Sequence, residues 1–72
     1  MKLYVANKSQ SEKMVYLSCL RYIKENGKFH TLPFDVSVKK ENYHLDIKKF
    51  PVVADVTFKK GVGAIVNNYE EV

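Results

Sequence analysis

The sequence predicts an α/β domain, a two-layer sandwich with one main helix packed on a four-stranded mixed sheet. Three observations lead to this class. Short segments rich in β-branched and aromatic residues alternate apolar and polar side chains, as strands do. One longer segment has helix signals at both ends. Two apolar runs near the carboxyl end flank a Lys-Lys-Gly turn, as in a β-hairpin. The expected order is β-α-β-β-β, in a single domain over residues 1–72.

The opening segment, residues 2–6 (KLYVA), predicts a short strand. Leu3 and Val5 would share one face and Tyr4 would occupy the other. Because both faces carry apolar groups, we expect a strand that is covered on both sides.

The segment after this strand predicts the main helix. Ser9 and Glu12 fit a capping box, and Gly27 can close the helix after Asn26 in a left-handed conformation. At about 100° per residue, the apolar side chains of this segment fall on one broad face. They are Tyr16, Leu17, Cys19, Leu20 and Ile23.

The second predicted strand runs from Phe29 to Val38 with period-two alternation. Pro33 lacks an N–H and therefore marks an edge or a bend. Residues 39–50 are polar apart from a few apolar anchors, which favours a loop with one helical turn.

The carboxyl-terminal hairpin consists of a strand from Pro51 to Phe58, a turn at residues 59–61 and an antiparallel strand from Val62 to Asn67. Gly61 can adopt the positive φ that such a turn requires. The last six residues (NNYEEV) are expected to form no more than a frayed helical turn.

Three stretches resemble a small glutaredoxin or thioredoxin-like domain: KLYVANK, the helix predicted after it, and FPVVADVTFKKGVGAIV. The resemblance implies a cis proline at Pro51, facing the family's redox centre, followed by a β-hairpin. The redox cysteine of the family belongs at the start of the first helix, where this chain has residues 8–12 (KSQSE). The resemblance therefore implies a related fold without redox function.

Composition and candidate ligands favour a non-enzymatic protein. Cys19, the one cysteine, falls on the expected core face and has no base beside it, so we expect a buried, slowly alkylated thiol. Cys19, His30 and His44 are too scattered for a structural metal site, and we expect no metal and no cofactor. Gly61 and Gly63 do not precede a helix and do not form a phosphate-binding loop.

The sequence contains no signal peptide pattern and no apolar run long enough for a membrane span, which predicts a cytoplasmic protein that does not contact membranes. A formal net charge of +4 and a pI near 9.2 are compatible with an anionic partner.

Paired lysines supply the candidate binding residues. If the second and third strands are antiparallel, two pairs share one end of the sheet around Tyr43 and His44, and the third pair lies at the other end. Such a basic patch with a ring for stacking suits a nucleic acid, although lysines also decorate exposed turns and protect strand edges. The full candidate set is Lys39, Lys40, Tyr43, His44, Lys48, Lys49, Pro51, Lys59 and Lys60.

Because no catalytic set is evident, the function favoured by the sequence is a protein-interaction module, an inhibitor or adaptor of the kind that phages encode. Tyrosines at positions 4, 22, 43 and 69 would supply interface rings. Its partner is expected to be a protein, and a free sheet edge would also permit a homodimer. The alternatives are a nucleic-acid-binding protein that uses the lysine-rich loop and, third, a thiol redox protein.

Overall fold

The structure is a computed structural model that describes residues 1–72, and it is almost entirely β. Six strands form one antiparallel sheet, and the only helical segment is one 3-10 turn, Lys40–Asn42. The predicted α/β class and its main helix are therefore wrong. The strands are β1 (Lys2–Gln10), β2 (Met14–Glu25), β3 (Lys28–Pro33), β4 (Val36–Lys39), β5 (Val52–Lys59) and β6 (Gly63–Glu71).

The segment predicted to be helical forms the end of β1 and all of β2. Along β2, the side chains of Val15, Leu17 and Cys19 are buried while Tyr16 and Ser18 between them are exposed, which is the period of a strand. The apolar face predicted for the helix was so broad that the spacing of its residues was compatible with the helical period and with the strand period. Tertiary pairing decided between them, because β2 lies between β1 on one side and β3 and β4 on the other.

Of the residues taken as helix caps, Ser9 lies in β1 opposite Tyr16, whereas Glu12 and Gly27 lie in hairpin turns. The Ser11 N–H donates to the Met14 carbonyl oxygen at 2.9 Å, and the Met14 N–H donates to the Ser11 hydroxyl oxygen at 3.3 Å, which closes the turn between β1 and β2. Asn26 and Gly27 have φ values of 53° and 77°. Two adjacent positive φ angles are typical of the type I′ turn that joins two antiparallel strands, and here they join β2 to β3.

The segment predicted as one strand from Phe29 to Val38 is two strands on the same edge of β2. β4 pairs with residues 14–17 and β3 with residues 20–25. The break follows Pro33, where the sequence indicated an edge or bend. The Phe34 N–H donates to the Cys19 carbonyl oxygen at 2.9 Å across this break.

The predicted carboxyl-terminal hairpin is confirmed as β5 and β6, which pair antiparallel around the turn after Lys59. β6 continues to Glu71, so the expected frayed helical turn at the end of the chain is wrong. The loop with one helical turn after β4 is confirmed by the 3-10 segment. The Phe50–Pro51 peptide bond is cis.

A single apolar core fills the concave face of the sheet. Its 13 buried residues are all apolar, and they come from every strand except β3, with Ile47 of the loop before β5. The sheet curls far enough for β4 to pack against β6, at the opposite side of the strand order. Half-buried aromatic side chains, among them Tyr43 and Tyr69, close the remaining opening. The curled sheet and the loop before β5 thus cover the apolar face of the sheet, a role that the sequence assigned to the predicted helix.

Candidate functional site

The predicted binding residues lie at two opposite ends of the sheet. Lys39 pairs with Met14, close to the turn that follows β1, whereas Lys59 pairs with Gly63 beyond the start of β1. β4 and β5 are not neighbours in the sheet, but they run in opposite directions, so the two lysine pairs that flank the loop share one end and Lys59 and Lys60 lie at the other, as the sequence predicted. We call the region around Lys39 and the loop of residues 40–51 the loop end.

At the loop end, the lysines are accompanied by acidic side chains. Lys39 and Lys40 border a shallow cavity of about 440 Å³ that Glu12 and Glu41 also line. Lys48 lies 3.7 Å from the Asp46 carboxylate, with both side chains in water. The remaining predicted residues of this end, His44, Lys49 and Pro51, are exposed.

Tyr43 was predicted to present a ring for stacking, but it packs on the core. Its ring is half-buried, and its hydroxyl is buried without a hydrogen-bond partner. Burial raises the pKa of Tyr43, and the nearby charges of Asp46 and Tyr69 raise it further. The ammonium of Lys8 lies 5.6 Å from the ring centre. The loop end therefore has exposed lysines, but its Tyr43 ring is not freely exposed for stacking.

The opposite end carries a projecting hairpin that the sequence reading missed. β1 and β2 pair as far as Tyr4 and Leu20, and beyond this point β2 and β3 pair only with each other. We call this hairpin, residues 21–33, the arm. All its side chains are exposed except Ile23, which is half-buried. The available signal was the Asn-Gly pair between two β-rich runs, which is a strong hairpin indication.

Two aromatic rings of the arm stand in water on the outer face of the sheet. Tyr22 is 57% exposed and Phe29 is 73% exposed. Tyr22 makes an edge-on contact with Tyr4 at the base of the arm, with ring centres 6.5 Å apart. Lys24, directly opposite Phe29 in the ladder, places its ammonium 5.8 Å from the centre of the Phe29 ring. On this outer face, two exposed rings therefore flank one ammonium group, while Arg21 and Lys28 lie on the other face of the arm.

A second hairpin tip projects from the same end. We call residues 58–63, around the turn between β5 and β6, the tip. Because Lys2 pairs with Asp55 in antiparallel fashion, the end of β5 runs past the start of β1, as the arm does. Lys59 and Lys60 of the predicted set lie here, both exposed. Phe58 is 50% exposed and touches Phe34 edge-on, with ring centres 6.0 Å apart.

The arm and the tip together account for the whole net charge of the chain. They contain five basic side chains, Arg21, Lys24, Lys28, Lys59 and Lys60, and one carboxylate, Glu25. The remaining residues carry seven lysines and seven carboxylates and are neutral in sum, against a formal net charge of +4 for the full chain. The densest basic excess thus lies on two protruding hairpins at one end of the molecule, whereas residues 39–51 at the other end carry four lysines and two carboxylates.

Cys19 is buried, as predicted, although on a strand rather than a helix. Its side chain is 2% exposed. Burial, helped by the charge of Asp35, raises the pKa of its thiol to about 11. A thiol of this kind is a poor nucleophile at neutral pH. No group of three or more His, Cys, Asp or Glu side chains lies close enough together to hold a metal ion.

The structure contains no helix that is long and apolar enough to cross a membrane. Comparison with known proteins finds no matching family model, no matching curated protein and no matching solved structure.

Proposed function

We propose that this protein binds single-stranded nucleic acid through the arm and the tip. The observation that supports this function is the net charge of +4 on these two hairpins, beside exposed aromatic rings. Proteins that hold single strands without sequence preference combine a basic surface for the phosphates with rings on which bases stack. Both components occur together on the arm.

The arrangement favours a single strand over a duplex. Bases of a duplex are already stacked on each other, so exposed rings such as Tyr22 and Phe29 gain little from it, whereas the bases of a single strand offer free faces. Lys24 lies beside the Phe29 ring. A base stacked on this ring would bring its own phosphate close to an ammonium group.

A salt titration with matched lysine variants tests the proposal. Binding of a fluorescent oligo(dT) is measured by anisotropy for the native protein, for Lys24→Ala/Lys28→Ala and for Lys48→Ala/Lys49→Ala. Both variants remove two positive charges from exposed positions, one pair at each end of the sheet, and the loop-end pair includes Lys48, which lies beside Asp46. We expect the arm variant to bind roughly a hundredfold more weakly, at about 1.5 kcal/mol for each lost charged contact.

The slope of the salt dependence gives a second readout. For the arm variant, the slope of log K against log[salt] should fall by about 1.4, at about 0.7 per lost contact with a single strand. The loop-end variant should keep the native slope and an affinity close to native. Equal weakening by the two variants would contradict the proposed site, and absence of binding by the native protein at low salt would contradict the function.

A protein partner is the second candidate, and one specific feature favours it. On the outer face, Pro33, Leu20, Tyr4 and Val53 stand opposite one another in four adjacent strands, a row of apolar groups across the sheet. Leu20, Tyr4 and Val53 are only half-buried. For a partner on this row, we expect Leu20→Lys to abolish a complex that Lys24→Ala/Lys28→Ala retains, measured by co-purification.

A further inference from the structure

β3 has an unpaired edge whose free backbone groups can be assigned. β3 pairs with β2 alone. The Phe34 N–H donates to the Cys19 carbonyl oxygen, and Pro33 stands opposite Leu20. Residues of an antiparallel ladder alternate between bonding their partner strand and turning their backbone groups away from it. Continuing this alternation back from Phe34, the groups of Phe29, Thr31 and Pro33 turn away from β2.

We propose that a second copy of this chain pairs with this edge, β3 against β3 and antiparallel, with the two-fold axis through Thr31, when two copies occupy one nucleic-acid strand. The nucleic-acid part of this proposal rests on the proposed function. Backbone pairing at an edge uses neither face of the arm. Tyr22, Phe29 and the basic side chains therefore stay available to the nucleic acid.

The side chains of β3 suit this register. Thr31 meets its own copy, Phe29 meets Pro33 of the second copy on the outer face, and His30 meets Leu32 of the second copy on the inner face. No two like charges stand opposite each other in this arrangement. Each Thr31 donates to and accepts from the other, and each Phe29 N–H donates to a Pro33 carbonyl oxygen, which makes four backbone hydrogen bonds.

Lys28 and Pro33 are residues of the kind that protect an edge strand from pairing, and the register accommodates both. Pro33 is required only as an acceptor, so its missing N–H costs no bond with the second copy. Lys28 lies at the end of the six-residue strand, where it faces no charge of the other copy. Registers that bring Lys28 against its own copy leave Thr31 outside the pairing.

Charge makes the pairing conditional on a bound polyanion. Each arm has three basic side chains and one carboxylate, so two free arms repel each other. A six-residue strand also buries far less than the roughly 800 Å² per partner of a standard interface. Phosphates between two arms remove the repulsion. The second copy then binds beside the first more tightly than alone, which is cooperative binding along the strand.

Cross-linking through an engineered cysteine tests the register. Across a hydrogen-bonded antiparallel pair the Cα atoms lie about 5.5 Å apart, which a disulfide can bridge. Thr31→Cys places such a pair on the two-fold axis, and the native Cys19, at 2% exposure, does not compete. Under mild oxidation with an oligo(dT) of about 40 nucleotides, which has room for two copies, we expect Thr31→Cys dimers and no His30→Cys dimers. A monomeric Thr31→Cys protein, or equal cross-linking of His30→Cys, would overturn the register.

Repeating the cross-linking at high salt without nucleic acid separates this proposal from the proposed function. At about 1 M NaCl the Debye length is about 3 Å, so repulsion between free arms is screened without nucleic acid. We expect Thr31→Cys to cross-link there as well. If the native protein binds no oligonucleotide yet Thr31→Cys cross-links at high salt, the function fails and the edge pairing stands.

A proline variant tests the cooperativity. Thr31→Pro removes an N–H that points away from β2, so it breaks no bond within the arm. We expect it to bind an oligo(dT) of about 10 nucleotides as the native protein does, and to lose the tighter binding per copy on about 40 nucleotides. Thr31→Val is the control, because it changes the side chain and keeps the N–H. If Thr31→Pro binds the longer oligonucleotide as cooperatively as the native protein does, the proposal is overturned.

Discussion

The loop end and the arm end of this protein have similar numbers of lysines but different proportions of acidic neighbours. At the loop end, Lys48 faces Asp46, and Lys39 and Lys40 share a cavity rim with Glu12 and Glu41. At the arm end, five basic side chains accompany one carboxylate. The difference is larger for the aromatic rings, because the ring of the loop end packs on the core while those of the arm are exposed.

This comparison shows that a run of lysines in the sequence does not by itself define a basic surface. Charges separated by more than about 8–10 Å are largely screened at physiological salt, so local neutralisation decides the potential that a partner meets. The lysine pairs at the loop end are partly neutralised by acidic neighbours, Asp46 and Glu41 in the same loop and Glu12 from the turn after β1. The charges of the arm come from single residues spread along a hairpin, which no run in the sequence reveals.

The largest expected effect is a difference in the free energy of unfolding between a substitution in the core and a substitution in the arm. Leu17, at 1% exposure, belongs to the core, and Leu32, at 48% exposure, belongs to the arm. We expect Leu17→Ala to lower the free energy of unfolding by about 2–5 kcal/mol because it leaves a cavity. Leu32→Ala should cost no more than about 1 kcal/mol, since half of its surface is already in water.

Urea unfolding, followed by far-UV circular dichroism, measures both leucine variants. Equal destabilisation would mean that the arm packs as part of the core. The comparison between a folded body and a projecting hairpin would then be wrong.

The second prediction uses the pH dependence of the core. The pKa of the Cys19 thiol rises to about 11 from an ordinary 9.0, so between these pH values the unfolded chain loses this proton while the folded chain keeps it. The stabilisation is complete below about pH 9 and is lost as the pH rises towards 11, because the folded state then binds more protons than the unfolded state. Two pKa units correspond to about 2–3 kcal/mol.

Urea unfolding at pH 8 and pH 10.5 checks this loss, with Cys19→Ala as the control for the other groups that titrate in this range. The native protein should lose more stability than Cys19→Ala over this interval. Equal losses would show that the thiol ionises as easily in the folded protein as in the unfolded chain.

The smallest effect concerns the rings of the two ends. Phe29→Ala should weaken oligo(dT) binding by about 1–3 kcal/mol, the contribution of one stacked base, and leave the free energy of unfolding within about 0.5 kcal/mol. Tyr43→Phe removes a buried hydroxyl without a partner, so it should leave binding unchanged and raise the free energy of unfolding by about 1 kcal/mol. Binding measured by anisotropy that is unaffected by Phe29→Ala would contradict stacking on the arm.

The strands at both ends of the chain could be predicted because their signals are local. Alternation around Leu3 and the turn chemistry before Gly63 each involve a few neighbouring residues, and β1, β5 and β6 follow from them. The middle of the chain could not be assigned correctly. Its apolar residues fit a helix and a strand about equally, and Ser9 with Glu12 resembled a helix cap.

The candidate site was predicted only in part. Lys59 and Lys60 lie at the basic end, and Tyr22 is exposed as expected of an interface ring, but it was placed on a helix, and neither Phe29 nor the basic residues of the arm were predicted as binding residues. Exposure of a ring depends on what packs over it, and a sequence pattern does not contain that information. Tyr43 and Phe29 both stand between polar neighbours, yet only Phe29 is in water.

By itself, the sequence determined the local elements: the alternating runs near both ends of the chain, the turn at Gly61, a small apolar core containing Cys19, and a modest net positive charge. The tertiary structure alone decided that the middle segment is a strand, and that the charge collects at one end. The physical reason is that strand pairing joins residues far apart in the chain, and the same pairing brings the arm and the tip to one end, so neither outcome is contained in any short stretch of it.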